Sequence, residues 1–584
     1  MPEYLAPGVF VEETSFRSKS IEGVSTSTAA FVGPTRRGPV GEVSELLTSF
    51  GDFERVYGGL NDLGYAGAND PKTNYLAHAV FHFFDEGGAR LYVSRVAAAA
   101  STVATSADLI ADNPDAKSAR FLARFKGAAG NGTIVLEETA RQSSVAAAAK
   151  AIDGSLIRVK GDAAANPVIP EAYFVKHSGA WQASDGTAHT FTAAEETRGM
   201  ELLTVTVTAV DADGNAIVYE DLGYDAQHKR YIGASLAVSP TNRDAQISQT
   251  FALLLSGAIT AFDLQTAFAP TAPAKTKSVP VGSGAGVMVG TDALPGAGDW
   301  TNALALIEAV DDVSIVAAPG ASAYADRDAI ALALISHAEK RRAYRIAVLD
   351  TDKNLTPTGA KTVKAQLDSK YAALYYPWVV AANPLARPDK PEVPREVKLP
   401  PSGFVCGIYA RSDIERGVVK APANEVVRGA LRFERLVSTG EQELLNPLGV
   451  NCLRFFPGRG NRVWGARTTS SDPEWKYVNV RRYFNYLEHS IDNGTQWAVF
   501  EPNGDKLWAN VRDTVSSFLY NEWVNGALLG DKPEQAFFVR CDRSTMTQND
   551  LDNGRLICLI GVAVLKPAEF VIFRIGQKTA DARG

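Results

Sequence analysis

The sequence predicts a mixed α/β fold spread over several domains. Three observations carry that expectation. Residues 313–350 alternate strand, helix and strand, the pattern of a sheet covered by helices. From about residue 101 to 290 the composition shifts toward Ala, Thr, Gly and Asp with alternating patterns, which reads as an inserted β-rich domain. Each end of the chain carries an apolar strand set apart by a linker-like stretch.

In chain order, Pro7-Gly8-Val9-Phe10-Val11-Glu12-Glu13 is a short extended run after a Pro-Gly break, and polar residues follow to about Ser20. Ala29-Ala30-Phe31-Val32 reads as a strand stopped by Gly33-Pro34. Leu76, Val80 and Phe83 fall at i, i+4 and i+7, so Thr73 to Glu86 reads as a helix with Gly87-Gly88 as its stop. Leu91 to Val96 follows as a strand. Leu203 to Val210 and Ala216 to Tyr219, joined by Asp211–Asn215, read as a β-hairpin. Val313 to Ala317 and Tyr344 to Asp350 are strands around a helix at Asp328 to Arg341. Val480, Phe484, Leu487 and Ile491 mark a further helix, ended by Asn493-Gly494. The next takes Asn510 as cap, with Asp513 in a capping-box position and Val511, Val515, Phe518 and Leu519 as its apolar stripe.

The last strand runs from Ala568 to Ile575. Val571, Phe573 and Ile575 make one face; Phe570 and Ile572 make the other, with Arg574 as the polar exception. A strand apolar on both faces needs cover on two sides. Two readings stay open at this point: a buried last strand of its own domain, or an arm donated to a neighbouring subunit by strand addition.

Composition narrows the classes. With 46% hydrophobic and 21% charged residues, the chain has ample material for a large core. A net charge of -7 and a pI near 5.7 argue against nucleic acid or an anionic membrane surface as the main partner. The longest apolar runs, Leu556–Leu565 and Phe251–Phe262, are too short to span a bilayer and suit buried elements. Met1-Pro2-Glu3-Tyr4 lacks the features of a secretion signal, so a cytoplasmic chain is expected. Cys406, Cys452, Cys541 and Cys558 form no C-x-x-C and are expected as reduced core thiols.

Catalytic constellations are not found. His78 and His82 have zinc-binding spacing, but Ala79 stands where a metalloprotease carries its Glu, and the phenylalanines around them suit core histidines. Gly282-Ser-Gly-Ala-Gly286 lacks both phosphate-loop spacings and reads as a linker. Asp350, at the end of a buried strand, is the candidate catalytic acid if the chain is an α/β enzyme, but no partner motif accompanies it. The expectation is no enzyme, no metal and no cofactor.

The residues then supply a resemblance. Leu374-Tyr375-Tyr376-Pro377-Trp378, Pro400-Pro401-Ser402-Gly403, Ile408 to Asp413, Lys420-Ala421-Pro422-Ala423-Asn424-Glu425, Arg462 to Arg467, Tyr477 to Arg482, Phe500-Glu501-Pro502-Asn503, Ala536 to Asp542 and Lys566 to Val571 occur in order. With Pro7 to Glu13, Thr26 to Gly33 and Arg37-Gly38-Pro39, they resemble the contractile tail sheath family of contractile-tailed phages and related injection systems. The resemblance covers about 1–100 and 300–584; Val419 departs from it, standing where an aromatic is common.

It implies a structural subunit with an N-terminal exchange arm (1–20), a core built from both chain ends (21–100 and 291–565) and a C-terminal exchange arm and tail (566–584); the inserted β-rich domain read from composition (101–290) is expected on the outside. The arm residues it implies are Val9, Phe10 and Val11, and Phe570, Val571, Ile572, Phe573, Arg574 and Ile575. It further implies stacked hexameric rings around an inner tube protein, with baseplate and tail-terminator partners, no nucleic acid and no direct membrane insertion. Assembly is expected in a bacterial cytoplasm, with release on lysis. The competing expectations are an α/β enzyme with a β-rich insert and a non-contractile surface protein that exchanges strands; striated hollow tubes under the microscope distinguish them from a sheath.

Overall fold

Strands without polar interruptions need cover on both faces. Ala29–Gly33, Ile315–Ala317, Ile346–Asp350 and Ala372–Tyr376 are such strands, and they pair in parallel within one eight-stranded core sheet. These coordinates are a computed structural model, and the structure describes residues 20–67, 71–110, 116–271 and 274–575. The sheet order is Glu425–Val426, Gly460–Val463, Val450–Phe456, Ala372–Tyr376, Ile346–Asp350, Ile315–Ala317, Ala29–Gly33, Leu91–Arg95. Ala29–Gly33 thus sits between a strand close to it in sequence and one far beyond it.

Alternation sorts the side chains into two cores. Phe31, Ile315, Ile346, Val348 and Tyr375 enter one, with residues of the Tyr75–Asp85 and Ser402–Arg416 helices. Val32, Val316, Ala347, Leu349 and Leu374 enter the other, with the Ala297–Ile307 and Arg327–Glu339 helices. The first helix pair packs backbone to backbone. A Cβ on Gly403 would lie 2.6 Å from Ala79 Cα, and one on Gly407 would lie 2.6 Å from Phe83 O, so only glycine fits at either site. Asn74 caps the Tyr75–Asp85 helix by accepting from Ala77 N at 3.3 Å.

A second, antiparallel sheet belongs to the middle of the chain. Its order is Thr276–Val281, Gly132–Ser143, Met200–Val210, Leu156–Val159, Ala172–His177, Ala180–Gln182, Ala188–His189, and Ala216–Leu222 adds to Met200–Val210. Ile134, Leu136, Val205, Val207, Tyr224 and Phe268 lie in a core of its own. Two of the features that join it to the core lie at the neck and just beyond. At the neck, Thr102 N donates to Thr291 O at 3.1 Å and Thr291 N to Thr102 Oγ1 at 3.0 Å. Beyond it, Arg36 grips Asp213 through two bonds (3.1 and 2.6 Å), and Arg37 reaches Asp211 at 2.7 Å. Both aspartates sit in the hairpin turn read from the sequence.

The Val478–Gly494 and Asp505–Val524 helices pack with a small hairpin, Phe537–Arg540 against Leu559–Val562. Three expectations need correction here. Asn510 is not a cap: the helix starts at Asp505, because Leu507 and Trp508 are buried and extend its apolar face toward the N-terminus. Leu556–Leu565 is not a buried element, since Leu559 and Ile560 are exposed. Ala568–Ile575, read as a strand, pairs with no strand among the described residues, and from Phe570 on its large side chains stand exposed. Val9, Phe10 and Val11 lie outside the described residues.

Candidate assembly surface

The C-terminal segment is fixed at one residue and bare beyond it. Glu569 accepts from Arg467 Nε at 2.8 Å and Nη2 at 2.6 Å, from Asn446 Nδ2 at 2.8 Å and from Tyr477 OH at 3.1 Å. Burial opposes its charge, but Arg467 and Asn446 outweigh that and hold the carboxyl below its ordinary value. After it, Phe570, Val571 and Ile572 are exposed, Phe573 is 83% exposed and Ile575 95%. A run of large apolar side chains left this open marks a surface that another element covers.

The segment leaves from a cleft of about 1330 Å³ lined by Val24, Thr26, Asp413, Glu522, Leu565 and Phe570, among others. The chain's N-terminal lead therefore shares this cleft with its C-terminal segment. That lead is held firmly. Arg482 donates to both oxygens of Asp413 (2.9 and 2.6 Å) and to Thr26 O (2.9 Å), while Thr26 Oγ1 donates to Asp413 at 2.7 Å. Both charged side chains are 3% exposed. Val24 N donates to Ser490 Oγ at 3.1 Å, and Ile21 packs beside Leu487. Whatever precedes residue 20 starts from a fixed point.

Beside the cleft stands the small hairpin. Its strands pair with each other alone, a single bridge of Leu528 to Val564 follows just past Val562, and the rest of its outer edges offer unpaired backbone groups among the described residues. Phe538, Leu559 and Ile560 stand exposed on it. A two-stranded sheet is marginal in water and gains from an added strand.

The other candidates fall to structural roles. His78 and His82 are buried, and burial pushes them down to about 4 and about 3, so both are neutral at pH 7. His82 stacks on Phe404 with ring centres 4.2 Å apart. Among the described residues no group of three or more His, Cys, Asp or Glu side chains is arranged to hold a metal ion. Among them, too, no helix is long and apolar enough to cross a membrane.

Asp350 caps the Ser402–Arg416 helix, accepting from Ser402 N at 2.7 Å and Ser402 Oγ at 2.6 Å. The cleft beside it, with Arg327 and Asp352 in its wall, measures about 50 Å³, room for water rather than a substrate. Burial pushes its carboxyl up to about 7. A raised acid contributes stability that is fully present below its unfolded value of 3.8 and lost as pH rises through about 7. Asp350→Asn is therefore expected to flatten the stability loss between those two values by roughly 2–4 kcal/mol. Denaturant melts of both proteins across that range check this; parallel curves would refute it.

The anchor of Glu569 is the functional feature that sequence reading missed. Its partners at 446, 467 and 477 are remote in sequence, and the one available signal was an acid placed just before an apolar run.

Residues 294–469 match the family model for the phage tail sheath protein central domain, and 470–578 match that for the phage tail sheath C-terminal domain. A putative prophage major tail sheath protein of Pseudomonas aeruginosa (strain UCBPP-PA14) is 28% identical over 267 residues, 45% of this chain and 64% of the relative. The chain thus spans less than two thirds of that relative and about a third or less of the other curated tail sheath proteins it matches. Among solved structures, the contracted PVC sheath complex of an extracellular contractile injection system is 35% identical, covering 47% of this chain and 73% of that one, with a TM-score of 0.41. The helical sheath of the anti-feeding prophage in its contracted state is 20% identical, covers 98% of this chain and 100% of that one, and has a TM-score of 0.53, a likeness of fold.

Proposed function

The chain belongs to the contractile tail sheath family, and from that premise we propose that it polymerises by strand exchange into a tube of stacked hexameric rings. The observation that carries this reading is the exposed Phe570–Ile575 segment, in a chain that also carries a hairpin whose strands pair with each other alone. A segment that leaves its own subunit and pairs with the next makes a head-to-tail contact, which propagates instead of closing on itself. Residues 1–20, with Val9, Phe10 and Val11, serve as the second arm in this reading.

The tube encloses an inner tube and ends on baseplate and terminator proteins. The arms tether subunits while they slide and rotate, so contraction needs no nucleotide: an extended, kinetically trapped lattice relaxes to a shorter, wider one. The chain acts as a structural component of a phage tail or phage-like particle, assembled in a bacterial cytoplasm and released on lysis. Negative-stain microscopy of the purified protein tests this. Striated hollow tubes are the expected result; monomers or smooth, unstriated aggregates under all conditions would overturn it.

The middle sheet projects from the tube wall in this reading. Replacing about 105–285 by a short Gly/Ser linker is expected to leave assembly intact. The neck pairing of Thr102 with Thr291 already holds the two cut ends together, and freed Arg36 and Arg37 gain water in place of Asp213 and Asp211. A trimmed protein that folds but never forms tubes would place the middle sheet in the lattice.

A further inference from the structure

The two strands of the terminal hairpin run antiparallel with Phe537 opposite Val562 and Arg540 opposite Leu559. That register, carried one residue past the last pair, sets Cys541 opposite Cys558. Ala563 N donates to Ala536 O at 2.7 Å, so residues 536 and 563 form a hydrogen-bonded pair. Such pairs alternate with non-hydrogen-bonded ones along an antiparallel ladder. Counting inward, 537 with 562, 539 with 560 and 541 with 558 are of the second kind, in which Cα atoms approach to about 4.5 Å. That separation lies within the window that a disulfide spans without backbone movement, about 4.4–6.8 Å. Each thiol's ionisation feels the other, as facing side chains do, and both are free. Cys541 is buried in the cluster under the Asp505–Val524 helix, and Cys558 is partly open to solvent.

We propose that Cys541 and Cys558 form an intrachain cross-strand disulfide when the chain meets a small-molecule disulfide, and that this bond staples the hairpin. The step balances as two exchanges. The Cys558 thiolate attacks one sulfur of the oxidant, expels one small thiol and leaves a mixed disulfide. Cys541 then gives its proton to solvent and attacks the Cys558 sulfur, which releases the second small thiol. The protein loses two hydrogen atoms, and the oxidant is reduced to two thiols. Burial keeps both thiols protonated at neutral pH, with Cys558 pushed up to about 12, so the exchange is slow there and quickens as pH rises. The inference rests on the hairpin alone and stands whether or not the chain builds a tube.

The test treats the full chain with oxidised glutathione at mildly alkaline pH, unfolds it, caps free thiols with iodoacetamide and maps the peptides by mass spectrometry. Cys541 and Cys558 are expected in one linked peptide pair, lighter by two hydrogens than the free peptides and separated by reduction. Cys406 and Cys452, both buried, are expected to carry the cap. In Cys558→Ser, Cys541 is expected to be capped. The map of the unaltered chain decides the matter even where that variant folds poorly. Glutathione retained on Cys558, a link between two chains, or four capped thiols would each overturn the pairing.

Discussion

A chain cut after Glu569 is expected to remain a folded monomer and to lose tube formation entirely. The cut matters in its position. Removing Glu569 as well would strand Arg467, whose side chain is 6% exposed, without the carboxylate that neutralises it. Stopping just after it removes the side chains that the monomer leaves in water and keeps the anchor. Phe573→Asp is the gentler form of the same experiment. At 83% exposure in the single chain, the new charge costs the monomer almost nothing, so its thermal melt is expected to be unchanged. In a receiving sheet the same charge is buried without a partner, at a cost of several kcal/mol, on the order of what blocks assembly. Melts and negative-stain images of both variants check this. Tubes formed by either, or a monomer whose melt collapses, would show that the segment is not an exchanged arm.

The second large effect is expected at the junction of the N-terminal lead with the Ser402–Arg416 and Val478–Gly494 helices. Arg482→Leu leaves the Asp413 carboxyl buried among Tyr409 and Thr26 with its main partner gone. The loss is expected to be about 3–5 kcal/mol. Pairing it with Asp413→Leu is expected to recover much of that, because the desolvated charge disappears with its partner. Thr26→Val, which removes one bond to Asp413, is expected to cost about 1 kcal/mol. Denaturant unfolding of the three variants measures these values; a single Arg482→Leu protein within 1 kcal/mol of the parent would refute the account.

Much of the fold was legible because its signals are local. The helical spacing of Leu76, Val80 and Phe83 and the uninterrupted apolar run before Asp350 each gave an element near its observed place. Non-local facts were not legible. That Ala29–Gly33 slots between Leu91–Arg95 and Ile315–Ala317 depends on pairing across the whole middle sheet. The capping-box rule chose Asn510 because it weighs a local pair, whereas the burial of Leu507 and Trp508 decided where the helix began. At the candidate surface, alternation alone told that Phe570–Ile575 needs cover on both sides. Among the described residues it joins no sheet, so the side chains that alternation marked stand exposed. The proximity of Cys541 to Cys558 depends on strand register, which no spacing in the sequence encodes.

The bonded neck at Thr102 and Thr291 has a consequence for how such a chain diversifies. Where two strands of backbone leave a domain already hydrogen-bonded to each other, the domain feels a closed loop, and the entropy of closure grows slowly with what hangs from it. The neck is therefore a graft point: one decoration can be exchanged for another of different size or fold while the parent sheet keeps its register. The Arg36 and Arg37 clamps then act as a docking code for the resident decoration, fixing how it is held rather than whether the core can carry it.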